Sequence, residues 1–309
     1  MAIEITDVTL RDGLQMEARI LSTEQKHELF TSLAACGYDR LEVTSFVHPK
    51  WLPQFADAES LAARLPTGGT PLMAFVPNEK GLERCLRFPI PWVSLFVAAS
   101  ETFNRKNVNT GVDETLAEAG RCVARARREG RRSRIYVSTV FGCPYEGEIP
   151  DTTLFPTLEK VVALGPDEIA LSDTIGVAVP ARVREILGRF RSLYPAAGTA
   201  LHLHDTYGMA VASALAGAEA GITRFDGATG GVGGCPYAKG ATGNVATEDL
   251  QYAFFRAGSG SGPPAEVAAA LRCLTRLGIP PRSRLAEIWA KGGTPYGLAH
   301  GLANDWSSR

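Results

Sequence analysis

Along the first 257 residues, a short β-branched or apolar run followed by a longer stretch of helical periodicity recurs eight times. The runs at 3–10, 41–46, 71–77, 92–98, 134–141, 168–172, 200–204 and 223–228 read as strands. The stretches at 22–37, 57–65, 79–87, 113–129, 152–164, 180–193, 208–220 and 247–257 read as helices. The first helix shows its limits most clearly, opening at Ser22 and Thr23 and closing at Gly37. Alternation of this kind demands a parallel sheet, because each helix carries the chain back to the end where the previous strand began. Five or six such units would leave the sheet open, whereas eight close it. The expected fold is therefore α/β, a TIM (β/α)8 barrel over 1–258. A flexible breaker, GSGSGPP at 258–264, separates it from an amphipathic helix at 265–277 and a less regular tail. Residues 259–309 are expected to form a C-terminal helical extension packed on the barrel as a cover.

Composition excludes several functions. With 45% hydrophobic and 21% charged residues over 309 positions, the chain suits a folded globular protein. A formal net charge of −1 gives no overall attraction for nucleic acid or an anionic membrane. The arginine-rich stretch Arg121 to Arg134 is read as the solvated end of the fourth helix, on the face away from the site. The six cysteines stand far apart with no CxxC pair, so reduced thiols and a cytoplasmic setting are expected. No charged-then-apolar leader opens the sequence, and no apolar run approaches the ~18 residues of a membrane helix.

In a parallel barrel the chemistry gathers at the C-terminal ends of the strands, and the polar residues fall there. The first strand runs into Arg11-Asp12-Gly13-Leu14-Gln15, the second carries Glu42, and the sixth ends in Ser172-Asp173-Thr174. The seventh ends in His202-Leu203-His204-Asp205, and the loop after the eighth holds Cys235 and Asn244. His202 and His204, two apart on a strand, face the same side. Against the apolar helix layer both imidazoles would need buried partners, so the lumen mouth is the better place. With Asp12 and Asn244 they make a set of two nitrogen and two oxygen donors. That set suits Mg2+ or Mn2+, while imidazole also accepts Zn2+, Co2+ or Fe2+. The competing reading is a hydrogen-bonded histidine pair without metal. Arg11 either stabilises an oxyanion or locks Asp12 or Glu42 in an ion pair. Cys235, among glycines, is either a proton-exchanging thiol or inert, and Cys143 in the similar segment Phe141-Gly142-Cys143-Pro144-Tyr145 is read as inert.

The segments Arg11-Asp12-Gly13-Leu14-Gln15, Thr44-Ser45-Phe46-Val47-His48-Pro49-Lys50-Trp51 and Gly142-Cys143-Pro144-Tyr145-Glu146-Gly147 occur in order with three further blocks. These are Asp173-Thr174-Ile175-Gly176-Val177, His202-Leu203-His204-Asp205-Thr206-Tyr207-Gly208 and a Gly-rich stretch from Gly230 through Cys235-Pro236-Tyr237 to Gly243-Asn244 and Asp249. Together they resemble the 3-hydroxy-3-methylglutaryl-CoA lyases, of the metal-dependent lyase and synthase barrels, over about residues 5 to 255. The resemblance implies a retro-aldol cleavage of an acyl-CoA thioester to acetyl-CoA and acetoacetate, in what is expected to be a homodimer. It implies Asp12, His202, His204 and Asn244 as ligands of a divalent metal. Arg11 would stabilise the enolate, Cys235 would protonate it, Glu42 and Asp173 would lie near metal and substrate, and Gln15 would touch substrate.

Two positions depart from that pattern. Met16-Glu17-Ala18 stands where the family reads Asn-Glu-Lys, and Ala170 replaces a strand serine. The missing lysine leaves another 3-hydroxyacyl-CoA, such as a citramalyl or longer branched thioester, as an alternative substrate. A synthase joining acetyl-CoA to a 2-keto acid shares Arg-Asp and His-x-His but usually carries Glu at the Gln15 position. A non-catalytic barrel that only binds metal or acyl-CoA is the remaining alternative.

Overall fold

The computed structural model describes residues 2–234 and 243–296. Eight parallel strands close into one barrel in sequence order: β1 Glu4–Asp7, β2 Arg40–Ser45, β3 Leu72–Phe75, β4 Trp92–Ala98, β5 Arg132–Ser138, β6 Glu168–Asp173, β7 Thr199–Leu203 and β8 Arg224–Gly227. Closure is made by β1 on β8, with Glu4 opposite Arg224 and Asp7 opposite Gly227. Outside lie α1 Thr23–Ala34, α2 Ala58–Ala62, α3 Glu79–Cys85, α4 Glu101–Val108, α5 Val112–Arg128, α6 Asp151–Ala163, α7 Pro180–Leu193, α8 Ala210–Glu219 and α9 Thr247–Arg256. The eight expected strands and eight expected helices are all present in the expected order.

Three differences have physical causes. The first strand was expected to reach residue 10 but stops at Asp7, and the chain coils into a single π-helical turn, Thr9–Gly13. Its marker is the bond from Gly13 N to Val8 O at 3.0 Å, five residues back. The buried Asp7 carboxylate ends the strand by accepting Thr9 N at 3.0 Å, Thr229 N at 2.9 Å and Thr247 Oγ1 at 2.8 Å. Secondly, α4 was not anticipated, because a short polar helix carries no apolar periodicity. Its signal was Ser100, whose Oγ accepts Phe103 N at 3.0 Å as an N-cap. Thirdly, Arg134 does not belong to a solvated helix end. It lies on β5 with 0% exposure. The alternation that turns Ile135 and Val137 outward to the helices sends Arg134 and Tyr136 into the lumen.

Beyond the barrel, α10 Glu266–Arg276 and α11 Arg284–Ala290 follow. Val267, Leu271, Leu274 and Trp289 belong to the same continuous apolar core as the barrel's outer layer. No helix among the described residues is long and apolar enough to cross a membrane. The cysteines Cys36, Cys85, Cys122, Cys143 and Cys273 are free and buried, and burial pushes the first three up to about 12.

The loop after β8 is fastened from below by a carboxyl group. Glu248, fully buried on α9, accepts Gly230 N through both oxygens at 3.1 Å. Burial, helped by the neighbouring Asp249 carboxylate, pushes its pKa up to about 8. An unfolded glutamate titrates near ~4.3, so between that value and about 8 the folded state binds the extra proton. Stability must therefore fall as pH rises through this window. Glu248→Gln keeps an acceptor for Gly230 and abolishes the titration. Chemical denaturation of this variant between pH 5 and 8, on the order of the interval set by these pKa values, should show a flatter stability profile than the parent.

Candidate metal centre

Four sequence-predicted residues converge at the rim of the lumen. His202 and His204 stand on and just past β7, their ring centroids 5.3 Å apart. Asp12 rides on the π-helical turn, which carries its carboxylate over the barrel mouth. One donor atom from each of Asp12, His202 and His204 lies within 4.8 Å of the others, close enough to hold a metal ion. His204 Nε2 stands 3.5 Å from Asp12 Oδ2.

Asn244 reaches the same place by a backbone route. Asp205 N donates to Gly243 O at 2.9 Å and Val245 N to Leu203 O at 3.0 Å, which sets Asn244 opposite His204 in a short antiparallel bridge. The close approach depends on Gly243 at φ +95°, where a Cβ would lie 2.4 Å from the carbonyl of Gly233. Asn244 Nδ2 donates to Asp12 Oδ2 at 2.9 Å and to Val232 O at 3.2 Å. Its Oδ1 is buried and has no hydrogen-bond partner among the described residues, and the same holds for His204 Nδ1. An orphaned buried amide oxygen beside two imidazoles and a carboxylate fits a cation that would complete it.

Arg11 occupies the opposite side of Asp12. Its Nε donates to Glu42 Oε2 at 2.6 Å and its Nη1 to Asp12 Oδ1 at 2.6 Å. Glu42 is fully buried on β2 and also accepts Tyr136 OH at 3.3 Å and Ser94 Oγ. The guanidinium lies 5.1 Å from the Tyr136 ring centroid and 5.3 Å from that of Phe75. The ion-pair reading of Arg11 is the one seen here: it locks Glu42 and Asp12. Burial pushes the Asp12 carboxyl up, but Arg11 and the two imidazoles outweigh it and hold the pKa well below the carboxylate range.

The other expected residues are placed less directly. Gln15 is half-buried just after the π turn. Asp173, at the end of β6, gives its carboxylate to the following loop, accepting Gly176 N at 3.0 Å, Val177 N at 3.1 Å and Ala178 N at 2.7 Å. Cys235 lies outside the described residues. Ala170 faces the lumen beside Tyr136, Met73, Trp92 and Ala200, filling a layer with its methyl group.

Beneath the rim stands a charged layer that the sequence reading missed. His202 Nδ1 is 3.1 Å from Asp226 Oδ2, Asp226 Oδ1 is 2.8 Å from Arg134 Nη1, and Arg134 Nε is 2.7 Å from Glu168 Oε1. Arg40 Nη1 reaches the same Glu168 oxygen at 2.9 Å while stacking on Trp92 at 3.8 Å. The signal existed as charges at alternate positions inside strands: Arg40 and Glu42, Arg134, Glu168, Arg224 and Asp226. Apolar matching of strands passes over it.

A closed parallel barrel whose rim gathers two histidines, a carboxylate and an amide oxygen beside a pinned arginine has the build of a metal-dependent barrel enzyme. The chain belongs to the HMGL-like family, whose model matches residues 2–276. It is 43% identical over 251 residues to the hydroxymethylglutaryl-CoA lyase of Bacillus subtilis (strain 168), covering 81% of this chain and 84% of that one. Among solved structures, the B. subtilis HMG-CoA lyase superposes with a TM-score of 0.89 at 38% identity, over 93% of this chain and 98% of that one. An HMG-CoA lyase of Acinetobacter baumannii, solved in complex with coenzyme A and 3-methylmalate, gives 0.88 at 32% identity, over 96% and 97%.

The three backbone bonds of Asp173 predict what its removal does. Asp173→Asn keeps one acceptor oxygen and turns an amide against backbone donors, a loss of about 1–3 kcal/mol in stability. Denaturant titration should show that loss, while metal content by atomic emission stays at the parent's level. A parent-like stability would show that these loop contacts contribute nothing.

Proposed function

We propose that this chain is a divalent-metal-dependent lyase that cleaves 3-hydroxy-3-methylglutaryl-CoA to acetyl-CoA and acetoacetate. The observation that carries the reading is the convergence of Asp12, His202 and His204 within 4.8 Å beside Arg11. It is supported by 43% identity to a hydroxymethylglutaryl-CoA lyase and by a relative solved with coenzyme A.

Asp12, His202, His204 and Asn244 would hold the cation, which when bound supplies Lewis acidity to the oxygens of the substrate and orients them. A mixed nitrogen and oxygen set suits Mg2+ or Mn2+ first, with Zn2+ or Co2+ as competitors. The chain's own groups do the rest. Glu42 and Asp12 fix the guanidinium plane of Arg11, so its free N–H groups meet the developing enolate oxygen without reorganisation. Burial under Phe75 and Tyr136 keeps that charge pairing away from water. The substrate hydroxyl gives up its proton to a base, the central C–C bond breaks, and acetoacetate leaves. The enolate carbon of acetyl-CoA then takes a proton from the Cys235 thiol, so protons lost and gained balance. Gln15 would contact the acyl chain at the rim, and Asp173 shapes the wall next to His204 through its loop.

The assay is release of acetoacetate from 3-hydroxy-3-methylglutaryl-CoA, alongside citramalyl-CoA. EDTA should abolish activity, and Mg2+ or Mn2+ should restore it. Full turnover after complete demetallation would end the metal-dependent reading. Faster cleavage of citramalyl-CoA would replace the substrate. For the thiol, Cys235→Ala should reduce kcat by ~10²–10⁴-fold with metal content unchanged. Unaltered turnover would remove Cys235 from the chemistry.

A further inference from the structure

The charged layer beneath the rim poses a physical question of its own. Arg134, Asp226 and Glu168 are each 1% exposed or less. Removing a charge from water costs several kcal/mol per ion even in relaxed proteins, and a pair offsets this only with close geometry and full hydrogen bonding. Most barrel lumens of this type are filled by branched apolar side chains instead. Filling space does not explain an arginine clamped between two carboxylates. Its position does. The layer is continuous with the metal centre at one atom, His202 Nδ1, which lies 3.1 Å from Asp226 Oδ2.

From this continuity we infer that Asp226, itself held by Arg134, is a positioning residue for the metal centre: it fixes His202 with Nδ1 protonated and Nε2 turned to the cation. The inference rests on the metal-site reading above. Asp226 can do this only if it is an acceptor of fixed direction. One oxygen is ion-paired to Arg134 at 2.8 Å, and Glu168 stands 2.7 Å from the far side of the same guanidinium. Glu168 is in turn tethered by Arg40 at 2.9 Å and Arg224 at 3.3 Å, on β2 and β8. The other Asp226 oxygen is left for the imidazole. Tyr136 packs edge-on against the His202 ring at 5.4 Å between centroids, a second contact on the ring beside that of Asp226. A carboxylate behind a ligating histidine raises its basicity and selects its tautomer. His204 has no counterpart among the described residues, where its Nδ1 is without a partner. The two histidines are therefore not equivalent, and His202 is the pre-oriented one.

The test uses the metal-free full chain titrated with Co2+, followed by its visible absorption, with folding checked by circular dichroism. The parent should bind. Asp226→Asn should bind ~10–100-fold more weakly with an altered cobalt spectrum, because an amide can no longer serve both Arg134 and the imidazole as an acceptor. A folded Asp226→Asn with the parent's affinity and spectrum overturns the inference while leaving the metal site standing. A parent that takes up no Co2+ removes the site and the inference together. Should Asp226→Asn not fold, the parent decides: Zn2+-loaded, 15N-histidine-labelled protein should show His202 bonded through Nε2 and protonated at Nδ1. Metal on Nδ1 overturns the inference.

Discussion

Closing eight strands into a ring forces every second side chain of each strand into a lumen shared by all of them. Whatever charges occupy that lumen need opposite charges beside them, because an unpaired buried charge is costly. Here the inward positions are largely polar, and the solution is a lattice of ion pairs with Arg134 near its centre, joined to Asp226 and Glu168. Arg11 and Glu42 form a second pair higher up, beside the Tyr136 hydroxyl. The rim chemistry stands on this lattice. Asp12 and the two histidines hold their positions because the residues beneath them cannot move independently.

The rim is assembled from departures from regular structure. A strand continued past Asp7 would send Asp12 above the barrel, whereas the π turn folds it over the mouth. Asn244 arrives on a segment that bridges to the ends of β7 and β8, passing so close to Gly233 that neither Gly233 nor Gly243 has room for a side chain. The anchors of these departures are the buried side chains of Asp7, under the π turn, and Glu248, under the glycine loop. Deforming a strand end in this way leaves backbone donors unpaired, and a buried carboxyl group is the compact means of satisfying several at once.

How much of this could be read beforehand differs by layer. The eightfold alternation and the helix limits were legible because outward-facing strand residues and helix faces obey local periodicity. The convergence of Asp12, His202 and His204 was legible through two routes, the spacing His202-x-His204 and the resemblance of the surrounding segments. Asp226, Ser94, Tyr136 and Arg134 were not, although each is plain in the chain, since a charge inside a strand acquires meaning only when its partner is known. Arg134 illustrates the difficulty: next to Arg131 and Arg132 it reads as part of a basic, solvated stretch, yet it lies two residues further into β5 than the exposed Arg132 and is fully buried.

The sequence by itself determined the order and type of elements, the closure of the barrel and the residues that can bind a cation, because these follow from periodicities of two and 3.6 and from donor chemistry. The tertiary structure alone decided which charges meet. Asp12 and Asn244 are 232 positions apart and touch at 2.9 Å; Arg40 and Glu168 are 128 apart and touch at 2.9 Å. Pairings across such separations depend on the register of eight strands around a ring, and register is a property of the closed barrel that no local segment carries.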